Sequence, residues 1–309
     1  MNYLKKIGLV LVFITSFGTL FSTLSAKDTT DPFKNVEIKT THVTSGIYML
    51  QGQGGNIGLS VGEDGVFMID DQFAPLTKKI KNAISKISDK PIKFVMNTHW
   101  HFDHTGGNEN LGQDGVVIVS HDKVRQRMSK DNFIKAFNKK VPAASKIALP
   151  VITFNDSMTF HLNNEEIEII HQSNAHTDGD SVVFFKTSNV IHTGDIFFNG
   201  FYPFIDESSN GDINGVIKAA TYILSRANDQ TKIIPGHGAL SNKKELTKYR
   251  DTLIILRDRM EKLIKEGKSI EEIIQMKPNA DLDKTWGKGF LSPENFLKIL
   301  YGVIKHSHK

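Results

Sequence analysis

The stretch His99-Trp100-His101-Phe102-Asp103-His104 carries four potential metal ligands within six residues, shortly after the apolar run Ile92–Met96. Because successive side chains of an extended segment point to opposite faces, His99, His101 and Asp103 leave the same face. His104 breaks this alternation at a position where a helix can begin. The stretch therefore predicts a metal centre in which one ion receives two imidazoles and a second receives a carboxylate and an imidazole.

Three further candidate ligands lie beside predicted strands later in the chain. His176 lies in a polar, glycine-containing turn before the strand-like segment Ser181–Lys186. Asp195 follows the predicted strand Val190–Thr193, and His237 ends an apolar run that contains proline and glycine. A rigid sheet can direct loop residues at such positions into one common site.

The remaining histidines are interpreted as surface or packing residues. Structural zinc sites favour thiolate ligands, and the chain contains no cysteine. The pattern therefore favours a catalytic metal centre over a structural one. The histidines left outside the site are His42, His121, His161, His171, His192, His306 and His308.

The spacing His99-x-His101-x-Asp103-His104, with its three downstream partners, resembles the metallo-β-lactamase superfamily of binuclear metal hydrolases over residues 43–240. The resemblance implies two Zn²⁺ ions per chain, although the second position also suits iron or manganese. It implies a first metal at His99, His101 and His176, a second at Asp103, His104 and His237, and a bridging Asp195.

The residues around Asp195 indicate a branch of that superfamily. An aspartate after Thr193-Gly194 resembles the glyoxalase-II and lactonase branches, whereas the resistance enzymes typically have a cysteine or another arrangement there. Segments 194–200 and 202–206 are similar to secreted members described as hydrolases or cyclases.

These resemblances predict a metal-dependent hydrolase in which a hydroxide bridging two zinc ions cleaves a small ester, lactone, thioester or cyclic amide, β-lactams included. Asp103 is the candidate catalytic residue that steers the water or accepts its proton. Asn199 and Tyr202 are candidate substrate-binding residues, with packing beneath a loop as the alternative. Asp70 or Asp71 is expected to hydrogen-bond a ligand histidine.

Two alternative functions are compatible with parts of the pattern. One is a mononuclear-iron sulfur dioxygenase of the same fold, which would leave some ligand positions unused. The other is a metal-binding protein without catalysis. The complete ligand set favours the hydrolase.

Composition predicts export and a small-molecule substrate. Residues 1–26 resemble a signal peptide, with Lys5 and Lys6 followed by the apolar segment Ile7–Leu20, which is shorter than a membrane span. A cysteine-free exported chain suits a periplasmic or secreted location. The net charge of +4 includes both signal lysines and forms no basic stripe, so we expect no nucleic-acid partner and, after signal removal, no stable membrane anchor. The sequence leaves the oligomeric state open.

The order of predicted elements gives an α+β fold, a four-layer αβ/βα sandwich with a C-terminal helical extension. The expected division is a signal peptide at 1–26, a catalytic domain at 27–240 and packed helices at 241–309. Within it we expect single strands at Thr41–Leu50 and Val151–His161 and a helix at Asp122–Phe137. Trp286–Phe290 is expected either to pack as part of the helices, to close the active-site mouth or to form a dimer contact.

Overall fold

A computed structural model describes residues 31–307, so the predicted signal peptide at 1–26 and His308 lie outside the described part of the chain. Two mixed sheets dominate residues 31–307. The first has seven strands in the spatial order β1-β2-β3-β4-β5-β6-β9. Its strands are β1 Lys39–Thr44, β2 Ile47–Gln51, β3 Ile57–Gly62, β4 Gly65–Ile69, β5 Ile92–Asn97, β6 Val117–His121 and β9 Ile152–Phe154.

The second sheet has six strands in sequential order. Its members are β10 Ser157–Leu162, β11 Glu165–Gln172, β12 Asp180–Phe185, β13 Val190–His192, β14 Lys232–Ile234 and β15 Ser241–Asn242. A separate two-stranded hairpin is formed by β7 Asn132–Ile134 and β8 Lys139–Val141.

Helices cover the outer faces of both sheets. Within residues 31–307 they are α1 Thr77–Ile84, α2 Phe102–Thr105, α3 Asn108–Gln113, α4 Asp122–Met128, α5 Ile213–Arg226, α6 Lys243–Lys265, α7 Ile270–Met276, α8 Ala280–Trp286 and α9 Pro293–Ser307.

Alternating apolar residues divide the core into layers. In β4, Phe67 and Ile69 belong to the cluster between the two sheets, whereas Val66 and Met68 pack with α1. Both faces of the second sheet are also buried. Its outer face, which points away from the first sheet, packs against α5 and α6. Each such side chain contributes about 1.5–3 kcal/mol on full burial. The four-layer αβ/βα sandwich predicted from the sequence is therefore confirmed.

The C-terminal helices pack on the second sheet and on one another. Leu253 and Leu256 of α6 belong to the same buried cluster as Leu297 and Leu300 of α9. No helix within residues 31–307 has both the length and the hydropathy to span a membrane.

Two predicted strands are each divided in the structure. The segment Thr41–Leu50 forms the hairpin β1–β2, which turns at Ser45-Gly46, where a side chain on Gly46 would lie 2.3 Å from the Val61 carbonyl oxygen. The segment Val151–His161 forms β9 and β10, which belong to different sheets. Both expectations of one continuous strand were wrong, because hydrophobic alternation does not show where a strand changes partner.

The predicted helix Asp122–Phe137 was also wrong beyond Met128. The side-chain amide of Asn132 donates hydrogen bonds to the carbonyls of Arg127 and Lys130, at 2.7 and 2.8 Å, and so satisfies acceptors at the helix end. The chain then forms the β7–β8 hairpin. Its second strand lies within Asn138–Pro150, a segment that the sequence pattern indicates as a connection without strands.

Candidate metal centre

Loops at the carboxyl ends of neighbouring strands bring the candidate ligands together. The segment from His99 to His104 follows β5, and Asp195 and His237 follow the parallel strands β13 and β14. His176 lies between β11 and β12. Parallel strands end at the same edge of a sheet, so residues distant in sequence converge there.

The predicted ligand residues form two adjacent groups. The ligand atoms within each group lie within 4.8 Å of one another. The first group is His99, His101, His176 and Asp195, and the second is Asp103, His104 and His237.

Four of the five histidines direct one ring N–H outward to a fixed acceptor. This contact sets the tautomer and leaves the other nitrogen as a free lone pair pointing into the site. The outward contacts are His99 Nδ1 to Thr98 Oγ1 at 3.1 Å, His101 Nε2 to Asp206 at 3.0 Å, His104 Nδ1 to Asp70 at 2.8 Å and His176 Nδ1 to the Phe204 carbonyl at 2.8 Å.

The inward nitrogens then face each other. His101 Nδ1 lies 2.9 Å from His176 Nε2, and His104 Nε2 lies 3.3 Å from His237 Nε2. His99 Nε2 is buried without a hydrogen-bond partner within residues 31–307. Facing lone pairs and an orphaned buried nitrogen need a cation between them, so the side chains fit a metal centre.

The carboxylates make the second group strongly attractive to cations. Burial opposes protonation of His104, but Asp195, Asp103 and Asp70 outweigh it and raise its pKa well above 6.5. Burial likewise opposes protonation of His237, whose pKa the carboxylates of Asp195 and Asp103 raise to about 9. The negative potential of these carboxylates favours positive charge in the second group, and a bound metal ion would supply that charge.

The acidic ligands remain ionised for the reciprocal reason. Burial raises the pKa of Asp103, but the adjacent His104 and His237 outweigh that effect and lower it to about 2. Burial acts in the same direction on Asp195, and His104, His237 and His99 together hold the pKa of that carboxyl well below its usual range.

Two glycines let the backbone approach the ligands closely. A Cβ on Gly55 would lie 2.1 Å from the His104 ring, and one on Gly236 would lie 2.1 Å from Asp195 Oδ1. Their proximity to ligands shows only in three dimensions.

Asp70, rather than Asp71, supports the histidines. Its carboxylate accepts hydrogen bonds from His104 and from both the backbone N–H and the hydroxyl of Thr98. Since Thr98 contacts His99 in turn, Asp70 connects the two ligand groups. Asp71 instead accepts from the Gly107 backbone N–H at 2.8 Å, as a turn residue does.

Asp206 supports His101 and was not predicted for this role. It is buried and accepts hydrogen bonds from His101 and, at 2.6 Å, from the Ser209 hydroxyl. Its partner is distant in sequence, and no local motif links them.

The ligands lie at the base of a cleft of about 490 Å³ whose walls are largely apolar. Asp103, the candidate catalytic residue, lines this cleft. Phe290 also lines it, so the segment Trp286–Phe290 contributes to the mouth of the cleft. Trp286 itself is buried and stacks on Tyr249, so it packs within the helices.

The two candidate substrate-binding residues require correction, because neither is among the residues lining the cleft. Tyr202 is buried, stacks on Phe296 with ring centroids 4.2 Å apart and donates a hydrogen bond to Asp283 at 2.8 Å. Asn199 donates to the Ala239 carbonyl at 3.0 Å. Both residues therefore stabilise the surrounding fold.

Comparison with known proteins gives a consistent picture. The sequence profile of the Metallo-beta-lactamase superfamily matches residues 50–237, more than half of the chain. The chain is 25% identical over 182 residues to a hydroxyacylglutathione hydrolase of Pelagibacter ubique, in a match that covers 58% of this chain and 63% of that protein. It is 20% identical over 190 residues to the metallo-beta-lactamase type 2 of Bacillus cereus, covering 61% and 69% of the two chains.

A solved structure shares the fold at lower identity. A stereoselective inverting sec-alkylsulfatase from Pseudomonas sp. aligns with a TM-score of 0.66 and 17% identity, covering 85% of this chain and 50% of that one. The chain spans only 40 to 63% of the length of several curated relatives that it matches.

Proposed function

Because the chain belongs to the metallo-β-lactamase superfamily, whose matched relatives include hydrolases, we propose that it is a binuclear zinc hydrolase. Its substrate would be a small ester, lactone, thioester or cyclic amide. The observation that carries this proposal is the convergence of two lone-pair clusters, with atoms within 4.8 Å in each, at the base of one cleft.

The donor set supports zinc in the first position and a harder site in the second. His99, His101 and His176 offer three imidazoles, a ligand set that zinc prefers. Burial favours the neutral form of two of them, since it lowers the pKa of His176 to about 4 and that of His99 well below 6.5. Both ligand groups contain all of the residues expected for a metal site, which favours a pair of metal ions over a single iron ion.

The chemistry of bound zinc is the generation of a nucleophilic hydroxide from water near neutral pH, together with stabilisation of negative charge on the substrate. The protein's own contribution is orientation. Asp103 is ionised and lies at the cleft floor, 3.4 Å from His237, where it can accept a hydrogen bond from the attacking water. The apolar walls limit the access of other water molecules.

The test combines metal content with turnover. The chain is stripped of metal, reloaded with zinc and offered an aryl ester, a lactone, a glutathione thioester and a β-lactam. Turnover of at least one substrate is expected to rise until about two zinc ions are bound per chain and to fall on chelation. Zinc binding without turnover of any of the four would contradict the proposal, and so would full activity in a metal-free preparation.

We also propose that residues 1–26 direct export to the periplasm or medium, where the mature chain acts on its small-molecule substrate. Cell fractionation followed by amino-terminal sequencing tests this. The expected result is a mature chain that begins near Lys27 outside the cytoplasm. A full-length chain in the cytoplasmic fraction would contradict it.

A further inference from the structure

The walls of the cleft differ in character from its floor. Five phenylalanines and Ile134 form the apolar part of the walls above the ligands and come from segments far apart in the sequence. The phenylalanines are Phe73, Phe102, Phe137, Phe204 and Phe290. Such a surface binds an apolar group by burying it, and a cleft of about 490 Å³ is large enough for a medium acyl chain or an aromatic ring.

One cation, Lys139, lies in these apolar walls. Its Nζ lies 3.3 Å from the centroid of the Phe102 ring, so a cation–π contact holds it against the wall. Within residues 31–307 no carboxylate lies within 4.0 Å of this ammonium, whereas eight other lysines form ion pairs. The charge of Lys139 is therefore available to a ligand.

The β7–β8 hairpin directs Lys139 toward the cleft. Ile134 pairs with Lys139 and Phe133 pairs with Lys140 across the two strands. Directly opposed residues of an antiparallel pair share a face, and the next pair along occupies the other face. The first pair lines the cleft, whereas Phe133 and Lys140 do not and are exposed to solvent.

From this arrangement we propose that the substrate is an anionic amphiphile, with an apolar acyl or aryl group packed on the phenylalanine walls and a negatively charged group held by Lys139. The proposal rests on the proposed hydrolase function and specifies its substrate class. In the reaction with an ester, the oxygen of water bonds to the acyl carbon, the bond from that carbon to the leaving oxygen breaks, and the leaving oxygen takes the proton that the water gives up.

Three hexanoate esters with the same reacting bond test the charge requirement in the zinc-loaded protein. They are phenyl hexanoate, meta-carboxyphenyl hexanoate and meta-trimethylammoniophenyl hexanoate, which are neutral, anionic and cationic. We expect kcat/KM to be highest for the anionic ester, by about three- to tenfold over the neutral one, as a partly solvated ion pair allows. The cationic ester is expected to be the slowest.

Lys139→Met tests whether this lysine is responsible. Methionine keeps an apolar stem over Phe102 but removes the charge, so the anionic preference is expected to disappear while the rate for the neutral ester stays within about twofold. Lys139→Arg is expected to restore the preference, and Lys140→Met, on the opposite face, to leave it unchanged. If Lys139→Met still prefers the anionic ester, the preference arises from the metal centre and the proposal is overturned.

The apolar walls are tested by chain length. Phe290→Ala is expected to reduce the ratio of hexanoate to acetate hydrolysis about three- to tenfold, because it removes one of the five phenylalanine rings that line the cleft. Phe133 is 45% exposed, against 55% for Phe290, and lies on the face of the β7–β8 hairpin that does not line the cleft. Phe133→Ala is therefore expected to leave that ratio unchanged. Equal effects of the two substitutions would contradict an acyl-binding role for these walls.

Binding measurements separate this inference from the hydrolase proposal. Calorimetry with meta-hexyloxybenzoate and its neutral amide, neither of which contains an ester, is expected to show tighter binding of the benzoate in the wild type and equal binding in Lys139→Met. If all esters remain intact but this pattern holds, the hydrolase proposal fails and the binding inference stands. Equal affinities in the wild type would overturn the inference whatever the activity.

Discussion

Two groups of histidines in this protein differ in where their ring nitrogens point. In the metal centre, His101 Nδ1 and His176 Nε2 face each other across 2.9 Å, because their other nitrogens are held by outward acceptors. His121 and His171 instead stack face to face, with ring centroids 3.6 Å apart and planes within 5°. In that stacked pair the donors bond to backbone carbonyls and not to each other.

The contacts of the stacked pair explain its different role. His121 Nε2 donates to the Asn155 carbonyl at 2.8 Å, and its Nδ1 accepts the Lys123 backbone N–H at the start of α4. His171 Nε2 donates to the Asp178 carbonyl at 2.9 Å. The nitrogens of the stacked pair are bonded to the backbone, as in a structural histidine, whereas the nitrogens that face each other in the other cluster are arranged to bind a cation.

Substitution of a facing histidine should have the largest effect. His101→Ala removes a ligand of the first group, and we expect it to lower activity by at least about 10³-fold and to reduce the zinc bound per chain. His171→Gln, in the stacked pair, is expected to retain both zinc and activity. Metal analysis and steady-state kinetics measure the two outcomes. Similar losses in the two variants would remove the distinction between the clusters.

Zinc should stabilise the fold only through the facing cluster. At a free zinc concentration of about 100 times Kd, binding stabilises the native state by about 2.7 kcal/mol, which corresponds to an increase in Tm of about 5–10 °C for a chain of this size. We expect thermal melts to show this shift in the wild type and in His171→Gln and a much smaller one in His101→Ala. An equal increase in Tm in the wild type and both variants would show that zinc binds at a site other than the facing histidines.

The outward acceptors should tune the metal site by a smaller amount. Asp206→Asn weakens the hydrogen bond that fixes the His101 tautomer, and we expect zinc affinity to fall by about 10- to 100-fold. Asp283→Asn, which alters the acceptor of the Tyr202 hydroxyl instead, is the control and should leave zinc affinity unchanged. Competition with a chromogenic chelator measures both. An unchanged affinity in Asp206→Asn would show that His101 is oriented without it.

The ligand cluster could be predicted from the sequence because its signals are local. His99 to His104 are contiguous. The other three ligands, His176, Asp195 and His237, each occupy a turn or strand end that the local sequence pattern indicates. The layered fold also followed from the alternation of apolar residues and the order of elements.

The supporting and lining residues could not be predicted in the same way. Asp206 meets its partner His101 only after both sheets have packed, and the chain ends the expected helix Asp122–Phe137 at Met128 through contacts of Asn132. The position of Tyr202 shortly after Asp195 is compatible with substrate binding and equally with packing beneath a loop. The ring of Tyr202 packs on Phe296 of α9, a contact that no local pattern indicates.

The smallest effect is expected from the stacked pair, as a dependence of stability on pH. Burial, and to a smaller extent the neighbouring His171, lowers the pKa of His121. This pKa is about 4 in the folded protein, against 6.5 for the free side chain. Between these values the unfolded chain binds more protons than the native one, so the stability present above pH 6.5 is lost as the pH falls toward 4. We expect His121 to account for about 1–2 kcal/mol of that loss, because solvent at the edge of the ring screens part of the charge.

Urea unfolding of the metal-free protein at pH 7.5 and pH 5 measures this contribution. His121→Gln keeps a donor and an acceptor at the helix start but cannot be protonated, so its stability should fall less with acid than that of the wild type. His161→Gln, on the exposed face of β10, should keep the wild-type slope. Because the ligand histidines are the same in all three proteins, their titration cancels in the comparison. Parallel slopes for His121→Gln and the wild type would mean that protonation does not disrupt the stacked rings, and the contrast between the two clusters would then rest on metal binding alone.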